Sequence, residues 1–140
     1  MLEATGLKLH HIGIAVRSIA QQGTAYCEAF GIAAPRAIVD DEAQSVRVAF
    51  AELANGVAVE FVEPIGDRSP ISRLLGRGGG LYHVCYEVGD LESRVAHVRA
   101  SGGMLVSGPT PAPAFDGRRI AFVYTAGHDL VEFVEAPAIA

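Results

Sequence analysis

From Lys8 to Val16, apolar residues alternate with small or polar ones, the period of two expected of a β-strand. Ile12, Ile14 and Val16 share one face, while His11, Gly13 and Ala15 share the other. The bulky face is expected to pack on helices and the small-residue face to floor a cavity. Ser18 is a candidate N-cap for a helix in which Ile19, Gln22, Tyr26 and Phe30 fall near helical spacing, with Gly31 as its left-handed C-cap. Beyond Pro35 the pattern predicts a short strand around Ala37-Ile38-Val39, a strand from Ser45 to Leu53, and a strand from Val57 to Val62. Asn55-Gly56 joins the last two as a hairpin turn.

Residues 1–7 are expected to be a frayed start. Pro64 to Gly80 reads as a joint, with a short helix starting at Ser69-Pro70 and showing Ile71, Leu74 and Leu75 on its apolar face. Gly78-Gly79-Gly80 lacks the Lys-Ser/Thr of a phosphate-binding loop and is expected to be a hinge. The plan then starts again. Tyr82 to Val88 alternates, with His83, Cys85 and Glu87 on one face. Asp90 caps a helix carrying Leu91, Val95 and Val98, closed by Gly102-Gly103. Met104-Leu105-Val106 is a strand, Pro109, Pro111 and Pro113 predict a loop, and Arg119–Tyr124 with Leu130–Val134 form the last hairpin.

The recurrence is literal. Val59-Glu60-Phe61-Val62-Glu63 returns as Val131-Glu132-Phe133-Val134-Glu135, an offset of 72 positions. Arg47-Val48-Ala49-Phe50 answers Arg119-Ile120-Ala121-Phe122, and His11-Ile12 answers His83-Val84 at the same offset. A repeat of this kind decides the fold. The expected architecture is α+β: two tandem βαβββ modules, residues 8–63 and 81–136, joined by 64–80 within a single 1–140 domain. They are expected to form a cupped, partly closed mixed β-sheet with helices outside.

The repeat also pairs two metal-ligand residue types. If each module curls into half a cup, approximate two-fold symmetry brings His11, Glu60, His83 and Glu132 together. Carboxylates in an apolar cup are costly unless paired, and a divalent metal pairs with all four at once; mixed N/O donors suit Co, Ni, Mn, Fe or Zn. A lone strand histidine is more often structural, and a lone glutamate is more often an edge-strand charge facing water. Matched across a duplication, the four favour the ligand reading. His10, His97 and His128 have no such match and read as surface residues. Arg47 and Arg119 recur symmetrically, either as binders of an anionic substrate or as structural ion pairs.

Composition narrows the class. Half of the 140 residues are hydrophobic and 19% are charged, which excludes disorder. The net charge of −5, with no run of basic residues longer than a pair, argues against nucleic acid. Cys27 and Cys85 form neither a disulfide framework nor a zinc-ribbon spacing and read as buried thiols in a reducing compartment. Without a leader-like segment or a stretch of about 18 apolar residues, the expected location is the cytoplasm, with no membrane partner. A small-molecule substrate and a homodimeric assembly complete the expectation.

Three segments resemble the vicinal oxygen chelate (glyoxalase/bleomycin resistance/dioxygenase) superfamily, and within it methylmalonyl-CoA epimerases: His10 to Val16; Val59 to Pro64 through Ser69-Pro70-Ile71; and Gly79 to Val88. The resemblance spans roughly residues 8–135. It implies His11, Glu60, His83 and Glu132 as ligands of one divalent ion (Co, Ni, Mn or Zn), and the family commonly has Gln or Glu at the Glu60 position. It further implies enolate chemistry on an acyl-CoA of the 2-methylmalonyl type, with Glu132 as the first choice of base and Glu60 as its counterpart. Two features depart from epimerases: Tyr124-Thr125-Ala126-Gly127-His128-Asp129 replaces a His-Pro-Lys-like turn, and Val48 stands near the place of a second catalytic glutamate. The alternatives are a glyoxalase I-type lyase with the same ligands and a metal-free binding protein of the same fold. A ring-cleaving dioxygenase fits less well, since its two-His, one-carboxylate set leaves the Glu60 position unused.

Overall fold

A computed structural model describes residues 6–137; most of the expected frayed start, residues 1–5, lies outside them. The chain packs as two compact units, one from His11 to Tyr82 and the other from His83 onward together with the described residues before His11. The expected pair of βαβββ modules is borne out. Among the described residues, no helix is long and apolar enough to cross a membrane.

The first module runs β1 (Lys8–Ala15), a π-helical turn (Ile19–Gly23), α1 (Thr24–Phe30), β2 (Val39–Asp41), β3 (Val46–Glu52) and β4 (Ala58–Pro64). Its strands lie in the order β2-β3-β4-β1. β1 is parallel to β4, and the other neighbours are antiparallel. A parallel pair needs a crossover, which the helix and the two intervening strands supply. Ile14, Val16, Ala49, Ala51, Val59 and Phe61 form the core with Ile19 and Cys27, so the bulky face of β1 meets the helix as expected.

The helix enters one notch away from its expected register. Ile19, Gly23 and Cys27 are the buried residues, whereas Gln22 is exposed and Phe30 is 67% exposed, its ring resting on Tyr26. Gln22 is turned outward by capping: its Oε1 accepts from the amides of Arg17 and Ser18. Ser18 Oγ accepts from Gln21 N as expected of an N-cap, and Glu63 Oε1 accepts from Ile19 N. Gly23 leaves room for Phe61, whose ring would lie 3.3 Å from any Cβ placed there. Gly31 takes the expected left-handed cap at φ 66°.

Between the modules, α2 (Ser72–Gly76) begins after a turn in which Ser72 N donates to Ser69 O, and it buries Ile71 and Leu75. The three glycines expected to loosen this joint serve its backbone geometry. All three take positive φ, and a Cβ on Gly79 would lie 2.8 Å from Ala15 O.

The second module runs β5 (Gly80–Val88), α3 (Leu91–Ala100), β6 (Met104–Pro111), a 3₁₀ turn (Pro113–Phe115), β7 (Arg119–Tyr124) and β8 (Leu130–Glu135), ordered β5-β8-β7-β6. β5 is parallel to β8, and the remaining pairs are antiparallel. Residues 109 and 111 do not form the expected loop. Both prolines belong to β6, which lies at the edge of its module, where a missing N–H need break no ladder. The register of β6 on β7 shifts twice around them. Asp90 caps α3 as expected, its Oδ1 accepting from Ser93 N and its Oδ2 from Ser93 Oγ.

Two predictions follow from this packing. Phe61 is fully buried, so Phe61→Ala should destabilise the protein by about 3–5 kcal/mol in urea denaturation, and a loss below about 1 kcal/mol would contradict the core described above. The Ser93 amide, and then its hydroxyl, hold the Asp90 carboxyl below the usual aspartate range. A depressed carboxylate contributes stability that is complete above the ordinary value and is lost as pH falls through the folded one. Asp90→Ala should therefore lower the melting temperature at neutral pH, and the gap between variant and parent should close as the solution is acidified below the ordinary aspartate range.

Candidate functional site

Each module places its histidine and its glutamate by the same strand geometry. In the first, β1 lies parallel to β4 with Gly13 opposite Glu60, and His11 shares the face of Gly13 two residues earlier. His11 Nε2 is 3.3 Å from Glu60 Oε1. In the second, Cys85 stands opposite Glu132, and His83 Nε2 is 3.0 Å from Glu132 Oε1. All four residues are buried, none above 5% exposed. The expectation that these are not edge-strand charges facing water is met.

A third residue recurs in each module. Phe50 pairs across the strands with Glu60, and Phe122 pairs with Glu132. The Phe50 ring meets His11 edge-on at 5.3 Å between centroids, and Phe122 meets His83 at 5.3 Å in the same way. These phenylalanines wall the imidazoles on an apolar side, a role that reading the sequence for ligands alone passes over. Their signal was the shared Ala-Phe that closes the matching four-residue stretches, Arg47 to Phe50 and Arg119 to Phe122.

Each pair suits a metal ion. Two donors on adjacent corners of an ion with bonds of about 2.1 Å stand about 3.0 Å apart, close to both observed separations. The donors are an imidazole nitrogen and a carboxylate oxygen in each case, the mixed set that Co, Ni, Mn and Zn accept.

The repeated arginines are structural. Arg47 Nη1 lies 3.2 Å from Glu63 Oε2, and Arg119 Nη2 lies 2.6 Å from Glu135 Oε2. Arg119 also pairs with Glu92 at 2.6 Å. The Arg119 guanidinium holds the Glu135 carboxyl below its usual range, and the two carboxylates raise the arginine further above its own. Glu63 and Glu135 are thus committed on the face opposite the site pairs. Of the other histidines, His97 and His128 are exposed as expected. His10 is a correction: it is half-buried, its ring edge-on to Phe115 at 5.3 Å. Cys27 and Cys85 are both buried and not joined in a disulfide, and burial pushes the Cys27 thiol up.

Residues 10–122 match the model of the glyoxalase/bleomycin resistance protein/dioxygenase superfamily. Among curated relatives, the mitochondrial methylmalonyl-CoA epimerase of Dictyostelium discoideum is 29% identical over 119 residues, covering 84% of this chain and 70% of its own. The ethylmalonyl-CoA/methylmalonyl-CoA epimerase of Cereibacter sphaeroides is 28% identical over 121 residues, covering 84% and 87%. Among solved structures, the methylmalonyl-CoA epimerase of Mycobacterium tuberculosis superposes with a TM-score of 0.83 at 27% identity, covering 98% of this chain and 94% of its own. With the family model spanning most of both modules, the chain belongs to the glyoxalase/bleomycin resistance protein/dioxygenase superfamily.

Proposed function

We propose that His11, Glu60, His83 and Glu132 jointly hold one divalent ion, and that the chain is a metal-dependent epimerase of a 2-methylmalonyl-CoA-type acyl thioester. The observation that carries this reading is the repetition of a buried imidazole–carboxylate pair, Nε2 to Oε1, at a separation suited to neighbouring ligands of one ion. A duplicated fold has no structural need to bury two such pairs, since apolar residues would fill the same places without desolvating a carboxylate. The substrate class is supported by relatives named as epimerases of methylmalonyl-CoA.

When bound, the ion supplies Lewis-acid stabilisation of the negative charge that develops on the thioester oxygen. The protein's own part is proton transfer. Glu132 removes the α-proton: the C–H bond breaks, its electron pair moves toward the thioester carbonyl, and the carboxylate becomes a carboxylic acid. Glu60 delivers a proton to the opposite face of the same carbon. Exchange of both carboxyl groups with water restores the starting state. Phe50 and Phe122 keep the imidazoles walled by apolar surface, which limits the water that competes for the carbanion-like carbon.

Incubation of the metal-loaded protein with 2-methylmalonyl-CoA in deuterated water should wash deuterium into the α-carbon, read by mass spectrometry. Glu132→Gln should slow exchange by about 10²-fold or more, the usual cost of removing a general base. Glu60→Gln should be milder. No exchange by the parent would reject the substrate, and equal exchange in Glu132→Gln would reject the base assignment.

Metal content gives a separate test. His11→Ala and His83→Ala should each sharply lower the bound metal per chain, measured by elemental analysis after desalting. Glu63→Gln and Glu135→Gln, on the opposite face of the same strands, should retain it. Loss of metal in the second pair but not the first would mean the register has been read one residue out.

A further inference from the structure

The opening strands share a histidine, His11 and His83, on one face, and further along that face the two modules part. The 72-residue offset carries Ala15 onto Glu87 and Val46 onto Arg118. In the first module both places are apolar and buried, at 3% and 7% exposure. In the second they hold an ion pair: Arg118 Nη1 lies 3.1 Å from Glu87 Oε1. The same nitrogen donates to Glu135 O at 3.0 Å. The guanidinium carbon lies 5.7 Å from the centre of the Phe115 ring, and the Arg118 side chain is 24% exposed. Among the described residues, the remaining donors, Nε and Nη2, have no protein acceptor.

A half-buried guanidinium is costly to keep where alanine and valine serve at the matching places. Its location suggests why it is kept. His83, Cys85 and Glu87 alternate on one face of β5, so the ion pair lies on the face that carries the His83–Glu132 pair. Four residues separate Glu87 from His83, about 13 Å at 3.3 Å per residue. That is too far for a carboxylate on the reacting carbon. It is within reach of the first phosphate of an acyl-CoA, about fourteen bonds from the thioester carbon and roughly 17 Å away when extended.

We propose that Arg118, held through Nη1 by Glu87 and the Glu135 carbonyl, binds a phosphate of the coenzyme A arm through its Nε–Nη2 edge. The proposal rests on the reading of the substrate as an acyl-CoA. A guanidinium offers a planar, two-donor fork to a phosphate, which an ammonium does not.

Titration calorimetry of the metal-loaded protein with coenzyme A, and in parallel with phosphate-free pantetheine, tests it. Arg118→Gln should weaken coenzyme A by about tenfold to a hundredfold and leave pantetheine unchanged. A purely structural role would move both ligands together. Arg118→Lys keeps the charge but loses the fork and should fall between; it decides the matter if Arg118→Gln does not fold. Unchanged coenzyme A affinity in the variants, or no affinity in the parent, overturns the proposal. Arg118-dependent binding in a protein that gives no deuterium exchange would leave this assignment standing and remove the epimerase reading instead.

Discussion

A carboxylate taken out of water must find a partner of comparable strength, and both halves of this chain pose that demand in the same way. A glutamate on the closing strand is buried against the imidazole of a histidine on the opening strand, with a phenylalanine from the intervening strand packed on the ring. Parallel pairing of opening and closing strands makes the arrangement possible, because it sets the histidine's face beside the glutamate's. The helix and the two strands between them are what allow that pairing. The opposite face of the closing strand is committed as firmly, with Glu63 and Glu135 tied to Arg47 and Arg119. Each glutamate thus has a role set by parity along the strand.

Much of this was legible in the sequence because duplication doubles every signal. The period-two strands, the Asn55-Gly56 turn, the caps at Ser18 and Asp90, and the histidine–glutamate spacing all have local physical causes that residue types declare. What escaped depends on partners distant in sequence. Gln22 looked like part of an apolar helical stripe until its amide oxygen was needed for two free N–H groups at the helix entry. Pro109 and Pro111 looked like part of a loop because nothing local reveals that their strand lies at an edge of its module. His10 looked exposed because Phe115, which covers it, is more than a hundred residues away. The phenylalanines beside the site histidines were visible as matches but not as neighbours, since cross-strand contact follows from register.

The superfamily assignment and the geometry bear on different parts of the function. Family membership and the epimerase relatives bear on the class of reaction. The repeated pair bears on which atoms of this chain do the work. The departure at Glu87 and Arg118 bears on neither: there one module holds an ion pair where the other has two buried apolar residues.

The central claim is that two buried pairs, one from each module, serve a single ion. Anomalous diffraction from crystals of the metal-loaded protein, collected at the absorption edge of the bound metal, tests it most directly. The account predicts one peak per set of four ligands, with His11 Nε2, His83 Nε2 and a carboxylate oxygen from each of Glu60 and Glu132 at about 2.0–2.3 Å. A peak coordinated by one pair alone, or separate peaks at the two pairs, would contradict it.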